Sequence, residues 1–248
     1  MQTLSPEEVS RFLDVARDTD YYVYFATLLY TGLRRGELLA LRWRNLELGS
    51  GTLSVVETAY RLGNGEYRIK EPKTPQSRRT VVLPPSLVDL LRAYRFDQEL
   101  LRIQLGISLN GDDFVFIRPD GSPMNPNAVT LAFRRIMKRA GLKGIRIHDL
   151  RHTHASLMLM AGIHPKVVSE RLGHANIGIT LDLYSHVLPG LQEAAAEKFD
   201  RMFEVGEEGM SDANVSKMLA NSEGLASRPC ETRTRDTLIK SQVLYQLS

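Results

Sequence analysis

The stretch from His148 to His186, HDLRHTHASLMLMAGIHPKVVSERLGHANIGITLDLYSH, constrains this chain more than any other. Its apolar run Leu157-Met158-Leu159-Met160 reads as part of a buried helix. Gly162 and Pro165 then mark the end of that helix and the start of another. Val167, Val168 and Leu172 give the second helix an apolar face, and Gly173 ends it. His174 therefore sits just past a helix end, and Tyr184 follows ten residues later near a further short helix. His148 and Arg151 are three residues apart, which on a helix places them on one face.

The side chains in this segment point to a definite chemistry. A tyrosine hydroxyl is a weak nucleophile at neutral pH and needs a base and an activated electrophile. Arginine offers a planar fork of donors that matches a phosphate and keeps its charge. Histidine exchanges a proton near neutral pH. Together they indicate attack on a phosphodiester, with charge spread over the non-bridging oxygens. A plainer reading stands beside each. His148 and His152 have an H-x-x-x-H spacing that zinc sites use, but Asp149 stands where the zinc-protease motif has Glu, and no third ligand is defined. His154 reads as structural or surface. A tyrosine such as Tyr184, taken alone, is more often a partly buried aromatic than a nucleophile.

The 248 residues are enough for one domain of about 200 residues plus a tail. No apolar run approaches the roughly 20 residues of a membrane span, and MQTLSPEEVS is too polar for a signal peptide. Cys230 is the only cysteine, which excludes an intrachain disulfide or a cysteine metal cluster and fits a reducing cytoplasm. The net charge of +3 says little about nucleic acid; clustering of the charge matters more.

Along the chain, Ser5-Pro6-Glu7-Glu8 starts a helix with a capping box. A second, almost wholly apolar helix runs from about Tyr21 to Tyr30. In the junction TGLRRGELLALRW, Glu37 follows Arg34 by three residues and can brace its guanidinium at the start of another helix. Trp43–Leu48, Thr52–Tyr60, Glu66–Lys70 and Arg79–Leu83 read as strands of a small antiparallel sheet. Lys70, Lys73, Arg78 and Arg79 surround one turn of that sheet, from which a lysine can reach a leaving oxygen. A long helix follows from Ser86 to about Leu105, with Leu87, Leu90, Leu91, Tyr94 and Leu101 inward. Asn125 caps another, running to about Ala140. Arg134, Arg135, Lys138 and Arg139 on it, continued by Lys143 and Arg146, form a basic surface suited to a phosphate backbone. Pro189 opens a last helix to Phe203, and residues 205–248 read as a poorly ordered tail.

Four motifs, TGLRRGELLALRW, KTPQSRR, HDLRHTHAS and LGHANIGITLDLYSHV, occur in this order and resemble the catalytic domain of a tyrosine recombinase of the phage-integrase type. The resemblance runs from about Leu4 to Phe203. It implies a mainly α fold with a small antiparallel sheet, over residues 1–204. It implies that Arg34 and Arg151 clamp the scissile phosphate, His148 transfers a proton and His174 is a further phosphate ligand. Lys73 would be the general acid for the departing 5′-hydroxyl, Tyr184 the nucleophile that forms a 3′-phosphotyrosyl link, and Glu37 the supporting acidic residue. Arg35, Lys70, Arg78, Arg79, Arg134, Arg135, Lys138, Arg139 and Arg146 are the expected DNA contacts. The reaction implied needs no metal, cofactor or nucleotide, because the covalent intermediate keeps the phosphodiester's energy. The implied partners are double-stranded DNA and three further copies of the chain. These would form a homo-tetramer around a Holliday junction through the helix 189–203, from a monomer without DNA, in the cytoplasm and with no membrane.

Such proteins carry a DNA-binding helical domain before this one, whereas here the sequence starts almost at the catalytic domain. The expectation is therefore a fragment that lacks part of its DNA clamp, binds weakly and selects sites poorly, with cleavage chemistry intact. Three alternatives remain at this point. They are a type IB topoisomerase-like enzyme using the same groups, a non-enzymatic DNA-binding regulator, and a zinc hydrolase built on His148 and His152.

Overall fold

The computed structural model describes residues 2–61, 67–70, 78–104, 106–118, 123–174, 176–187, 196–197 and 199–201, with the backbone alone at 61, 67 and 183–187. The chain divides into two units, Met1–Pro189 and Gly190–Ser248. In the second, Glu197 pairs with Arg201 at 3.9 Å. The expected helix 189–203 and tail 205–248 lie largely outside the described residues.

The first unit is mainly helical. Helix α1 (Pro6–Arg17) starts as its sequence requires: Ser5 Oγ accepts the Glu8 N–H, and the Glu8 carboxylate accepts the Ser5 N–H. Helix α2 (Tyr22–Thr31) is buried nearly all round and ends at Gly32 in the left-handed region, φ 66°. Phe12, Phe25 and Phe133 meet with ring centroids 5.6–5.8 Å apart, joining α1 and α2 to α5 (Pro126–Arg139). Each such fully buried side chain contributes roughly 1.5–3 kcal/mol relative to exposure. Helix α3 (Arg35–Leu39) is a short turn set directly on the sheet layer.

The sheet region departs from the sequence reading in two places. Trp43–Asn45 is a 3-10 turn rather than the start of a strand; only Leu46–Glu47 (β1) is extended. Trp43 is inward as expected, but a hydrogen bond from its Nε1 to Gln98 Oε1 (3.2 Å) holds it in the turn. The single strand expected over Thr52–Tyr60 is two: β2 (Thr52–Val55) and β3 (Thr58–Arg61). Their partners differ. β2 pairs antiparallel with β1 and with β5 (Arg79–Val82), whereas β3 pairs, among the described residues, with β4 (Tyr67–Lys70) alone. The result is a three-stranded and a two-stranded sheet, both antiparallel.

Helix α4 (Pro85–Gln104) turns Leu87 and Leu91 inward but leaves Leu101 36% exposed, contrary to expectation. Its inward positions on that side are polar. Gln98 bridges Trp43 and the Val115 carbonyl, and Arg102 pairs with Asp113 at 2.8 Å.

Helices α6 (Asp149–Met160), α7 (Pro165–Leu172) and α8 (Gly178–Val187) follow the pattern of the defining stretch. Ala155, Leu159, Val168 and Leu172 close a small core between α6 and α7, and α8 packs on both helices. Among the described residues, no helix is long and apolar enough to cross a membrane.

Candidate active site

The site forms where the ends of α2 and α7 meet the starts of α3 and α6. Gly32 makes this junction possible: a Cβ there would lie 2.5 Å from the His154 ring and 2.6 Å from Leu172. Arg34 follows in extended conformation (φ −70°, ψ 147°) as the residue before α3, with its side chain 41% exposed.

Glu37, one turn into α3, is 5% exposed and accepts four hydrogen bonds. Oε1 takes Arg34 Nη1 (2.8 Å) and Arg79 Nη1 (3.2 Å); Oε2 takes the Arg34 N–H (2.9 Å) and Arg79 Nη2 (2.8 Å). Burial alone would raise its pKa. The hydrogen bond and charge of Arg79, then the backbone N–H and charge of Arg34, outweigh burial and hold it below the usual value, so Glu37 is ionised.

Arg151 is buried on α6. Its Nη1 donates to the Gly32 carbonyl (2.8 Å) and its Nη2 to the Leu172 carbonyl (2.6 Å). These oxygens lie at the C-terminal ends of α2 and α7, where the helix dipoles are negative and favour a cation. Two of its five donors are thus engaged, and the guanidinium is rigidly aimed. Burial, then repulsion from Arg34, lowers its pKa to about 9; at neutral pH it remains charged. Two guanidinium groups close enough to repel, with Glu37 the carboxylate among the described residues that offsets them, attract an anion.

The histidines differ in setting. His148, immediately before α6, is accessible at one side, and its ring contacts that of His152 edge-on at 5.1 Å. Partial burial and then Arg151 lower its pKa, so the ring is neutral at pH 7. His174 follows Gly173, whose φ of 67° reverses the chain after α7. Its Nδ1 lies 2.8 Å from Thr180 Oγ1. Burial, then Arg151 and Arg34, push its pKa down to about 4. Tyr184 lies on α8, one turn beyond Thr180. Lys73 lies outside the described residues.

Arg79, expected among the DNA contacts, has a side chain 6% exposed, paired with Glu37, with Nε donating to the Arg171 carbonyl (2.7 Å). Gly173 leaves room for it, since a Cβ there would come within 3.0 Å of Arg79 Cδ. The other expected contacts are distributed. Arg78, Arg134, Arg135, Lys138, Arg139 and Arg146 are exposed. Arg35 donates to Thr130 Oγ1 (2.7 Å), Lys70 lies over the Tyr60 ring (4.2 Å), and Arg146 pairs with Asp149 (3.1 Å).

Sequence reasoning missed Arg171. Its Nε donates to His154 Nε2 (3.2 Å), and its two Nη atoms donate to the Val82 and Tyr30 carbonyls (2.8 and 2.9 Å). His154 is buried and structural, with Nδ1 2.8 Å from the Leu29 carbonyl. Because Nε2 accepts, Nδ1 carries the proton, and the ring is neutral. For a zinc site at His148 and His152, the described residues supply no cluster of three or more suitable ligands. The nearby Asp149 carboxylate is occupied by Arg146.

The family described as "Phage integrase family" matches residues 2–190. A "Tyrosine recombinase XerC-like" protein of Caldanaerobacter subterraneus subsp. tengcongensis is 32% identical over 214 residues, covering 82% of this chain and 55% of that protein. The "ICEBs1 integrase" of Bacillus subtilis is 32% identical over 202 residues, covering 81% and 54%. The chain thus spans about half the length of these curated relatives. Among solved structures, the Tn1549 transposon integrase in complex with circular intermediate DNA is similar with a TM-score of 0.68 and 26% identity, over 80% of this chain and 67% of that one. XerA recombinase is similar with a TM-score of 0.59 and 26% identity, over 80% and 65%. The family match covers most of the sequence, and two relatives share 32% identity with over 80% of it: the chain belongs to the phage integrase family of tyrosine recombinases.

Proposed function

We propose that this chain carries the active site of a site-specific DNA recombinase that cleaves and rejoins DNA through a 3′-phosphotyrosyl intermediate. One observation carries the reading: Arg34 and Arg151, held by Glu37 and by two helix-end carbonyls, converge beside His174, which bonds to the helix bearing Tyr184. The similarity to a transposon integrase solved with DNA supports double-stranded DNA as the substrate.

In this reading Arg34 and Arg151 bind the non-bridging oxygens of the scissile phosphate. They stabilise the charge that builds up on those oxygens in the transition state. The Tyr184 oxygen attacks phosphorus, and its proton passes to neutral His148. The bond from phosphorus to the 5′ oxygen breaks, and Lys73 protonates that oxygen. His174 donates to the phosphate. A 5′-hydroxyl from a second duplex reverses the sequence, so the phosphodiester is exchanged without hydrolysis. The two guanidinium groups supply the positive charge that a metal would otherwise provide. A homo-tetramer working through a Holliday junction completes the exchange. The exposed basic face of α5 contacts the DNA backbone, its contribution falling as salt rises.

A trapping assay tests this. The chain is incubated with nicked suicide DNA in chelator and run on a denaturing gel. The expected result is a covalent protein–DNA adduct that disappears in Tyr184→Phe. An adduct that persists in Tyr184→Phe, or one that chelator abolishes, contradicts the reading. Relaxation of supercoiled DNA with no strand exchange between paired sites would favour a topoisomerase instead.

A further inference from the structure

We infer that Thr180 is a positioning residue: its hydroxyl donates to His174 Nδ1 and so keeps the imidazole proton on Nε2. Thr180 is fully buried, and its Oγ1 lies 2.8 Å from His174 Nδ1. A buried hydroxyl must place its one hydrogen on an acceptor. Helical threonines usually place it on the carbonyl four residues back. In this protein Thr27, Thr31, Thr130 and Thr153 all do so, at 2.6–2.9 Å. Thr180 stands in the first turn of α8, and its own helix has no carbonyl at that position. Among the described side chains, His174 Nδ1 is its one hydrogen-bond partner.

The ring has the complementary requirement. Burial among Arg151, Arg34, His152 and Arg79 disfavours its charged form, so at neutral pH it carries a single proton. If that proton were on Nδ1, the Thr180 hydrogen would be buried with no acceptor among the described groups. With Nδ1 accepting, both groups are satisfied, and Nε2–H remains as the ring's free donor. In a setting of several cations, its natural acceptor is an oxygen of a bound phosphate. Thr180 and Tyr184 are four residues apart on α8, so the contact also ties the helix of the nucleophile to a phosphate ligand. The catalytic consequence rests on the proposed function; the tautomer does not.

The test separates the two. Long-range 1H–15N correlation spectra of the full chain, labelled with 15N-histidine and free of DNA, report the tautomer of each ring directly. The sequence holds only six histidines, and His174→Gln identifies the relevant signals. The expected wild-type pattern is a protonated Nε2 and an accepting Nδ1, kept in Thr180→Ser and replaced by a tautomer mixture in Thr180→Val. A protonated Nδ1 in the wild type, or an unchanged pattern in Thr180→Val, overturns the inference. The wild-type spectrum decides even should the valine variant not fold. On suicide DNA, adduct formation is expected to slow about tenfold or more in Thr180→Val, with Thr180→Ser within about threefold of wild type. Equal rates in all three would overturn the catalytic role. Absence of any adduct from the wild type would count against the proposed function, while the spectrum still decides the tautomer.

Discussion

Replacing Glu37 by Gln tests the electrostatic base of the site. The carboxylate accepts four hydrogen bonds at 2.8–3.2 Å, two of them from Arg79, and both side chains are almost fully buried. Gln offers one acceptor oxygen and two donor hydrogens, so an amide N–H must face a guanidinium N–H. Arg34 loses its partner too, but at 41% exposure water compensates. Arg79, 6% exposed, cannot be rehydrated; its Nε still donates to the Arg171 carbonyl, but its two bonds to the Glu37 carboxylate are lost. Breaking a buried pair in this way costs roughly 3–5 kcal/mol. For a domain of about 150–250 residues each kcal/mol lowers Tm by roughly 2–4 °C, so the expected loss is about 6–20 °C. Urea unfolding followed by the single tryptophan, Trp43, measures it, since that side chain is buried. Glu37→Leu combined with Arg79→Met removes both charges and is expected to cost clearly less than the two single changes summed. The gap between wild type and Glu37→Gln should hold above pH 4.5, the ordinary value of the carboxyl. It should shrink as pH falls towards the lower native value, because the unfolded chain is protonated first. A loss below about 1 kcal/mol would refute the buried-pair account.

Three further outcomes follow from the same geometry. Arg151→Lys keeps a charge but cannot bond both helix-end carbonyls and a phosphate; adduct formation should fall about 100-fold or more, and wild-type rates would contradict the clamp. In Gly36→Ala the new Cβ would lie 2.4 Å from the Ala59 carbonyl oxygen, lifting α3 from β3 at a cost of roughly 1–3 kcal/mol; an unchanged unfolding midpoint would show that the contact gives way freely. His154, pushed down to about 4 by burial and then Arg171, should lose about 3 kcal/mol of stabilisation as pH falls from 6.5 to 4, because the unfolded ring takes up its proton first. His154→Gln, which can still accept from Arg171 and donate to Leu29, should flatten that part of the stability profile; a superimposable profile would assign the slope elsewhere.

Much of this was legible in the sequence because it rests on local rules. The Ser5–Glu8 box, the glycine after α2 and the α6–α7 boundary are each set within a few residues. The Arg34–Glu37 brace was legible for the same reason, being a contact three residues apart. What was hidden depends on distant partners. The alternation over Thr52–Tyr60 gives no sign of a break, which arises because Val55 pairs with Arg79 while Thr58 pairs with Lys70. Arg79 sits in a basic cluster and resembles a solvated residue. Its burial is decided by Glu37, 42 positions earlier, and by the Arg171 carbonyl, 92 positions later. Helical periodicity points Leu101 inward, but Trp43 and Asp113 provide polar partners that draw in Gln98 and Arg102 instead. Thr180 carried no signal, since one threonine on a helix face is unremarkable until a buried imidazole meets it.

Tyr184 is expected to become covalently joined to DNA, and peptide mapping of the trapped complex reads that linkage residue by residue. After nuclease and trypsin digestion, the peptide from Leu172 to Lys198 contains Tyr184 as its only tyrosine. This peptide alone is expected to gain the mass of a 3′-nucleotide, with fragmentation locating it on Tyr184. A nucleotide on another residue, or a trapped complex in which this peptide is unmodified, would contradict it.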